Sequence, residues 1–172
     1  MSLPDFFLLL TDLLLSGFLL YLSILDFRKH RIRDLHLFAI LLPLSLLRVT
    51  AGAVHAALSS FPVLPFLCDH FLGAAAAFGI FYGSAWVLYR AEERKSGKPG
   101  KPGIGGGDIK LISILGMAGG VTGLITTVLA GFLLGIPVSF FNRLRGRRYT
   151  ALAGFFSFGF LFYLLLSDCL LR

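Results

Sequence analysis

The sequence predicts an all-α, polytopic integral membrane protein with about six transmembrane helices, and three observations predict it. First, the chain is 56% hydrophobic, its mean hydropathy is +0.84 and only 15% of its 172 residues are charged. A soluble domain is usually nearer a quarter charged. Second, the apolar residues fall into runs long enough to cross about 30 Å of hydrocarbon as helices. Third, lysine and arginine gather in short stretches between those runs, where they set orientation. The formal net charge of +7 therefore points to a lipid bilayer and not to nucleic acid. Residues 1–172 read as one membrane-embedded domain. The start lacks the basic opening and small-residue cleavage site of a signal peptide, so it reads as the first span.

Leu3 to Leu25 is a nearly unbroken apolar run, about 34 Å long as a helix. The basic stretch "DFRKHRIRD", Asp26 to Asp34, follows it. A second apolar run extends from Leu35 to about Val49. Thr50 to Asp69 is mixed and carries Pro62 and Pro65, so it is expected to be an outer loop or interfacial piece. Phe71 to Tyr89 is the third span. Residues 90–107, "RAEERKSGKPGKPGIGGG", have the polar, Gly-, Pro- and Lys-rich composition of a flexible loop. Ile109 to Phe141 is apolar and interrupted by Gly119-Gly120. The basic "NRLRGRR" then precedes a last span, Tyr149 to Leu171.

Charge fixes how these runs alternate. The first basic stretch holds four Lys and Arg, the second, counted from Arg90 to Lys110, holds six, and the third holds four. Only Arg48 and Arg172 lie elsewhere. Placing all three stretches in the cytoplasm satisfies the positive-inside rule in an inner (plasma) membrane, with both termini outside. The chain must then cross twice between Asp108 and Asn142. It has 33 residues for the task, where each crossing ordinarily takes about 20. The turn is assigned to Gly119-Gly120. That leaves a short fourth span, beside which water can approach a carboxylate.

Ionisable residues in or beside spans are costly and mark candidate sites. Asp5 and Asp168 lie near the outer ends. Asp34 can cap a helix beginning at Leu35. Asp12 is mid-span, as a polar contact between helices or a cavity lining. Asp26 and Asp108 fall at one depth on the cytoplasmic boundary and can meet. Two adjacent carboxylates share a proton, so one can take a proton from water while the other gives one to a substrate carbonyl. The structural alternative for Asp108 is helix capping, where the dipole favours its charge. Asp26 lies near a helix C-terminus, where negative charge is disfavoured; an ion pair with Arg28 or Lys29 is the alternative there. Gly105, Gly106 and Gly107 have no Cβ and let a substrate backbone approach. A plain flexible linker is the competing reading.

At "GGGDIKLISILG" and "LDFRKHRIRD" the chain resembles the type IV prepilin peptidases, membrane aspartic proteases of the GxGD type. The second motif is Gly105-Gly106-Gly107-Asp108, followed by Lys110 and Leu111. The first is an aspartate ahead of a basic stretch ending Ile32-Arg33-Asp34, where the family has proline at the position of Arg33. The late family motif Pro-Phe-Gly-Pro is degenerate; "ALAGFFSFG" stands about there. The resemblance implies that Asp26 and Asp108 are the catalytic pair and that Gly105, Gly106, Gly107 and Lys110 contact substrate. The implied substrate is a prepilin or pseudopilin, whose short basic leader is cut after glycine at the cytoplasmic face. No CxxC pair occurs, so the resemblance is to short, peptidase-only forms without a methyltransferase domain.

Other classes leave weaker traces. The presenilin-like GxGD proteases carry Tyr-Asp and Pro-Ala-Leu, neither of which stands here. A non-enzymatic transporter or assembly protein would use Asp12 and Asp26 for ions, and an inverted repeat would favour it. His30 and His36 in and beside a basic loop read as solvated, so no metal and no cofactor is expected. Cys68 and Cys169 stand too far apart in sequence to signal a zinc module.

Overall fold

The computed structural model describes residues 3–29, 34–97, 105–145 and 152–170. They are helical almost throughout: α1 (Leu3–Lys29), α2 (Asp34–His36), a π-helical turn (Leu37–Leu41), α3 (Leu42–Leu58), α4 (Val63–Ser96), α5 (Gly106–Leu144) and α6 (Leu152–Leu170). Among the described residues, four stretches are long and apolar enough to cross a membrane: Leu3–Arg28, Asp34–Leu58, Val63–Lys95 and Gly106–Leu144; Leu152–Ser167 is a shorter apolar helix. The protein is an all-α integral membrane protein. Helices are the natural solution, because a spanning segment must satisfy its own backbone. Two buried hydroxyls do likewise: Ser23 and Thr127 donate to carbonyls one turn back, Leu19 O and Gly123 O.

Two expectations about loops need correction. Thr50 to Asp69 is mostly helix, and only residues 59–62 connect α3 to α4. The end of α3 is closed by Ser60 in the left-handed region (φ 59°) and by the Phe61 N–H donating to Ala56 O at 2.8 Å, the Schellman arrangement. Pro62 is the N-cap of α4 and Pro65 lies in its first turn, where proline costs nothing because those N–H groups have no helical acceptor. The segment 90–107 is also not loop from its start. α4 continues through Ser96, since Ala, Glu, Arg and Lys are good helix formers and Arg90 pairs with Glu93 at 3.2 Å. Gly97, at φ 64°, ends the helix and donates to Glu93 O at 2.9 Å.

The interruption expected at Gly119-Gly120 is a true break. Gly120 has φ 65° and ψ −166° inside α5, a region essentially reserved for glycine. The contacts of the two arms show that the chain reverses there. The second arm lies against α6 in the opposite direction: Gly119 and Gly123 face Tyr163, Gly131 faces Phe156 and Gly135 faces Phe155. The first arm starts at Asp108, whose carboxylate interacts with Asp26, and Asp26 accepts a hydrogen bond from Gly154 at the start of α6. Both arms therefore begin or end at the α6 N-terminus. The C-terminal ends of α1, α4 and α5, which carry Arg28, Arg94, Lys95 and Arg143, all lie at this end.

Close helix approach seats the break. A Cβ on Gly73 of α4 would overlap the backbone of Gly116 and Gly120, and one on Gly159 would overlap Thr127 and Gly131. Small residues allow such contacts where lipid offers no hydrophobic drive between helices. The core beside them is Leu15, Leu19 and Leu22 of α1, Leu37 and Leu41 of the π-helical turn, Leu111, Ile112 and Leu115 of α5, and Phe156 and Phe160 of α6. Many other large apolar residues, Leu13, Phe71 and Leu133 among them, point outward, as a lipid-facing surface requires.

Gly120→Ala is expected to lower stability by about 1–3 kcal/mol, from backbone strain alone. A Cβ there would also meet the Asp69 carboxylate. Gly79→Ala is the control: nothing lies within 4 Å of its Cβ position, so it should be neutral or gain up to about 1 kcal/mol from helix propensity. Thermal unfolding of both in one detergent distinguishes them.

Candidate active site

Asp26 lies one turn before the end of α1 and is 6% exposed. Its Oδ2 accepts the Gly154 N–H at 2.9 Å. Asp108 lies in the first turn of α5, half-buried. The two carboxylates are near enough for each to feel the other's charge. The structure thus brings together two aspartates 82 residues apart in sequence, at the end of the bundle that carries the basic connections.

Asp108 is not the N-cap that helix-capping logic suggested. Gly105 is, with extended backbone (φ −68°, ψ 141°) and no side-chain cap. Its carbonyl accepts the N–H groups of Asp108 at 3.0 Å and Ile109 at 3.2 Å. Asp108 occupies the third helical position, and its carboxylate accepts a hydrogen bond from the Gly105 backbone. This is the acidic half of a capping box. Capping and chemistry are compatible, since a carboxylate has two oxygens and about four acceptor sites.

The other singled-out residues divide. Gly105 and Gly106 are exposed, and nothing lies within 4 Å of a Cβ placed on Gly106. Gly107 is half-buried in the first turn. Lys110 donates to Asp34 Oδ1 at 2.8 Å and lies 5.5 Å from the Phe38 ring centroid. It ties the start of α5 to α2. Asp34 therefore has a partner from another helix besides its place at a helix start. His36 packs against Tyr21, ring centroids 5.9 Å apart. His30 and Arg31 to Arg33 lie outside the described residues, as do the side chains of Asp168 and Cys169. Among the described residues no three His, Cys, Asp or Glu side chains cluster as metal ligands would.

The opposite end holds a different constellation. A cavity of about 850 Å³ is lined by Asp5, Asp12, Arg48, His55, His70 and Tyr163, among others, and contains neither Asp26 nor Asp108. Arg48 donates through Nε to Asp12 and through an Nη to the Ala118 carbonyl. His70 Nδ1 lies 2.7 Å from the Met117 carbonyl; a carbonyl only accepts, so this nitrogen carries the proton. Met117 and Ala118 are in the last turn before the Gly120 break, where carbonyls lack helical donors. Asp12 is thus both an interhelical contact and a cavity lining. Arg48, His70 and Gly154 escape a reading of the sequence, because each joins a side chain to a backbone group far along the chain.

Helical passes bound by small-residue contacts, with two carboxylates meeting at one end, define a class: polytopic membrane proteins with an acidic pair at one end of the helix bundle. The model of the type IV leader peptidase family matches residues 13–140, about three quarters of the chain, and the chain belongs to that family. It is a membrane peptidase. Comparison with curated proteins and with solved structures gives no match. The matched segment includes Asp26 and Asp108 and ends before α6.

Arg48→Leu is expected to cost on the order of 3 kcal/mol, because it removes the cation paired with a partly buried Asp12 and the donor to the Ala118 carbonyl together. Chemical denaturation in detergent measures it.

Proposed function

We propose that Asp26 and Asp108 are the catalytic pair of an aspartic endopeptidase that removes the short basic leader of prepilin-like proteins at the cytoplasmic membrane face. The observation that carries this reading is the meeting of two carboxylates at the basic end of the bundle. One carboxylate takes a proton from water as the oxygen attacks the scissile carbonyl carbon. The other gives its proton to the carbonyl oxygen. The gem-diol then collapses, the C–N bond breaks and the departing amine receives a proton, so the pair ends with the proton it began with. Exposed Gly105 and Gly106 leave room beside Asp108 for an extended substrate backbone. Lys110 contributes by holding the α5 start to α2.

The ion-transporter alternative is less well supported. It would use Asp12 and Asp26 together, yet these stand 14 positions apart on one helix, about 21 Å. Asp12 is paired with Arg48 near the other end.

Asp26→Asn and Asp108→Asn should each abolish cleavage, with normal expression and detergent stability, and chelators should have no effect. Asparagine keeps the shape and removes a charge that is costly near lipid, but an amide does not exchange protons as a carboxyl does. Co-expression with a candidate prepilin and mass measurement of its N-terminus is the assay. Cleavage retained in either variant removes that residue from the pair.

Orientation has its own test. Single cysteines at Arg28, Lys95 and Arg145, in a background lacking Cys68 and Cys169, should react only with a membrane-permeant reagent in intact cells. Labelling of any one by an impermeant reagent would put a basic connection outside.

A further inference from the structure

Asp26 and Gly154 come from opposite ends of the chain, 128 residues apart, and their 2.9 Å hydrogen bond is buried. Leu152 is the first described residue of α6, so the Gly154 N–H belongs to its first described turn, where N–H groups look outside the helix for acceptors. A buried donor must find a partner elsewhere. Here the partner is a carboxylate, and the aligned dipoles of a helix start favour an anion at this place. A Cβ at position 154 would stand 2.8 Å from the Phe27 ring, so a side chain there would have to displace that ring. Phe27 follows Asp26 directly and packs edge-on against Phe155, centroids 5.4 Å apart. The hydrogen bond and the ring packing form one joint between α1 and α6.

We propose that the Gly154 N–H is a positioning group for the catalytic pair: the first turn of α6, beyond the segment the family model matches, fixes the orientation of the Asp26 carboxylate toward Asp108. The proposal rests on the reading of Asp26 and Asp108 as that pair. Gly154 acts through Asp26 and does not itself touch substrate, so its loss is read in kcat with KM nearly unchanged.

The test uses the purified full chain in detergent and a peptide with a basic leader, a glycine cleavage site and a hydrophobic segment. Phe27→Ala makes room for a side chain at position 154. In that background Gly154→Ala keeps the donor, while Gly154→Pro removes it at a helix position where proline is tolerated. The proline variant should have a kcat at least about tenfold below the alanine variant, with KM within about twofold. Equal kcat values would overturn the proposal. If the proline variant does not fold, Gly154→Val decides. Valine keeps the N–H but pushes the turn away from Phe27, so kcat should fall in the native background and recover when Phe27→Ala is added. No fall, or a fall without recovery, also overturns it. Asp26→Asn and Asp108→Asn keep the two readings apart. Cleavage by either variant means the pair itself is misassigned. Inactive Asn variants beside a fully active proline variant mean that only the positioning role is wrong.

Discussion

A helix that stops inside a bilayer leaves its last carbonyls without partners, and hydrocarbon offers none. The architecture depends on how α5 meets that constraint at Gly120. Arg48 from α3 and His70 from α4 reach the carbonyls of Ala118 and Met117, and Gly73 lets α4 lie directly on the broken turn. With its last turn capped, the first arm can end early. The second arm then returns along α6 to the end from which the first began. Had α5 run straight, Asp108 and the basic residues Arg143 and Arg145 would sit at opposite ends, and the three basic connections would not share one side.

The two ends of the bundle treat charge in opposite ways. At the Gly120 end, Asp12 faces Arg48, Asp5 lies 3.1 Å from His55, and Arg48 also bridges to the Ala118 carbonyl. Each charge has an opposite or dipolar partner, which is how buried charge becomes affordable. At the other end, Asp26 and Asp108 bring like charge to like charge, and the Gly154 and Gly105 backbone N–H groups are among their donors. Such an arrangement is a poor way to stabilise a fold. On the proposed reading it holds groups that must exchange protons, since N–H donors orient a carboxylate without competing for its proton.

Much of this was legible in the sequence, and the reasons differ by element. The break at Gly119-Gly120 followed from counting: a 33-residue segment with basic flanks at one side cannot cross twice without a tight turn. The depth of Asp26 and Asp108 followed from where the apolar runs end. The lengths of α3 and α4 did not, because prolines and charged residues suggest loops while proline in a first turn and an Ala-Glu-Arg-Lys run are both compatible with helix. Arg48, His70 and Gly154 left no local trace. Their partners lie 36 or more positions away, and each joins a side chain to a backbone group in another helix. Hydrogen bonds to backbone carry no residue-type signature in the partner.

Asp108 shows why capping and catalysis need not be rival explanations. The glycines before it supply no side-chain cap, so the start of α5 relies on Asp108 reaching back to Gly105. That bond fixes the side chain's rotamer and its height relative to the first turn. Height is what the pairing with Asp26 requires, because α1 approaches from the opposite direction and presents Asp26 only one turn from its end. Asp26 is fixed by the same device from a different helix, through the first turn of α6. Each carboxylate is thus oriented by the start of a helix, and the lone pairs left over by one such bond are those that proton transfer needs. On the proposed reading, the flexible triglycine and the greasy run after it serve one purpose. The glycines keep the approach to Asp108 open, and the buried Ile109, Leu111 and Ile112 anchor the helix that holds it in place.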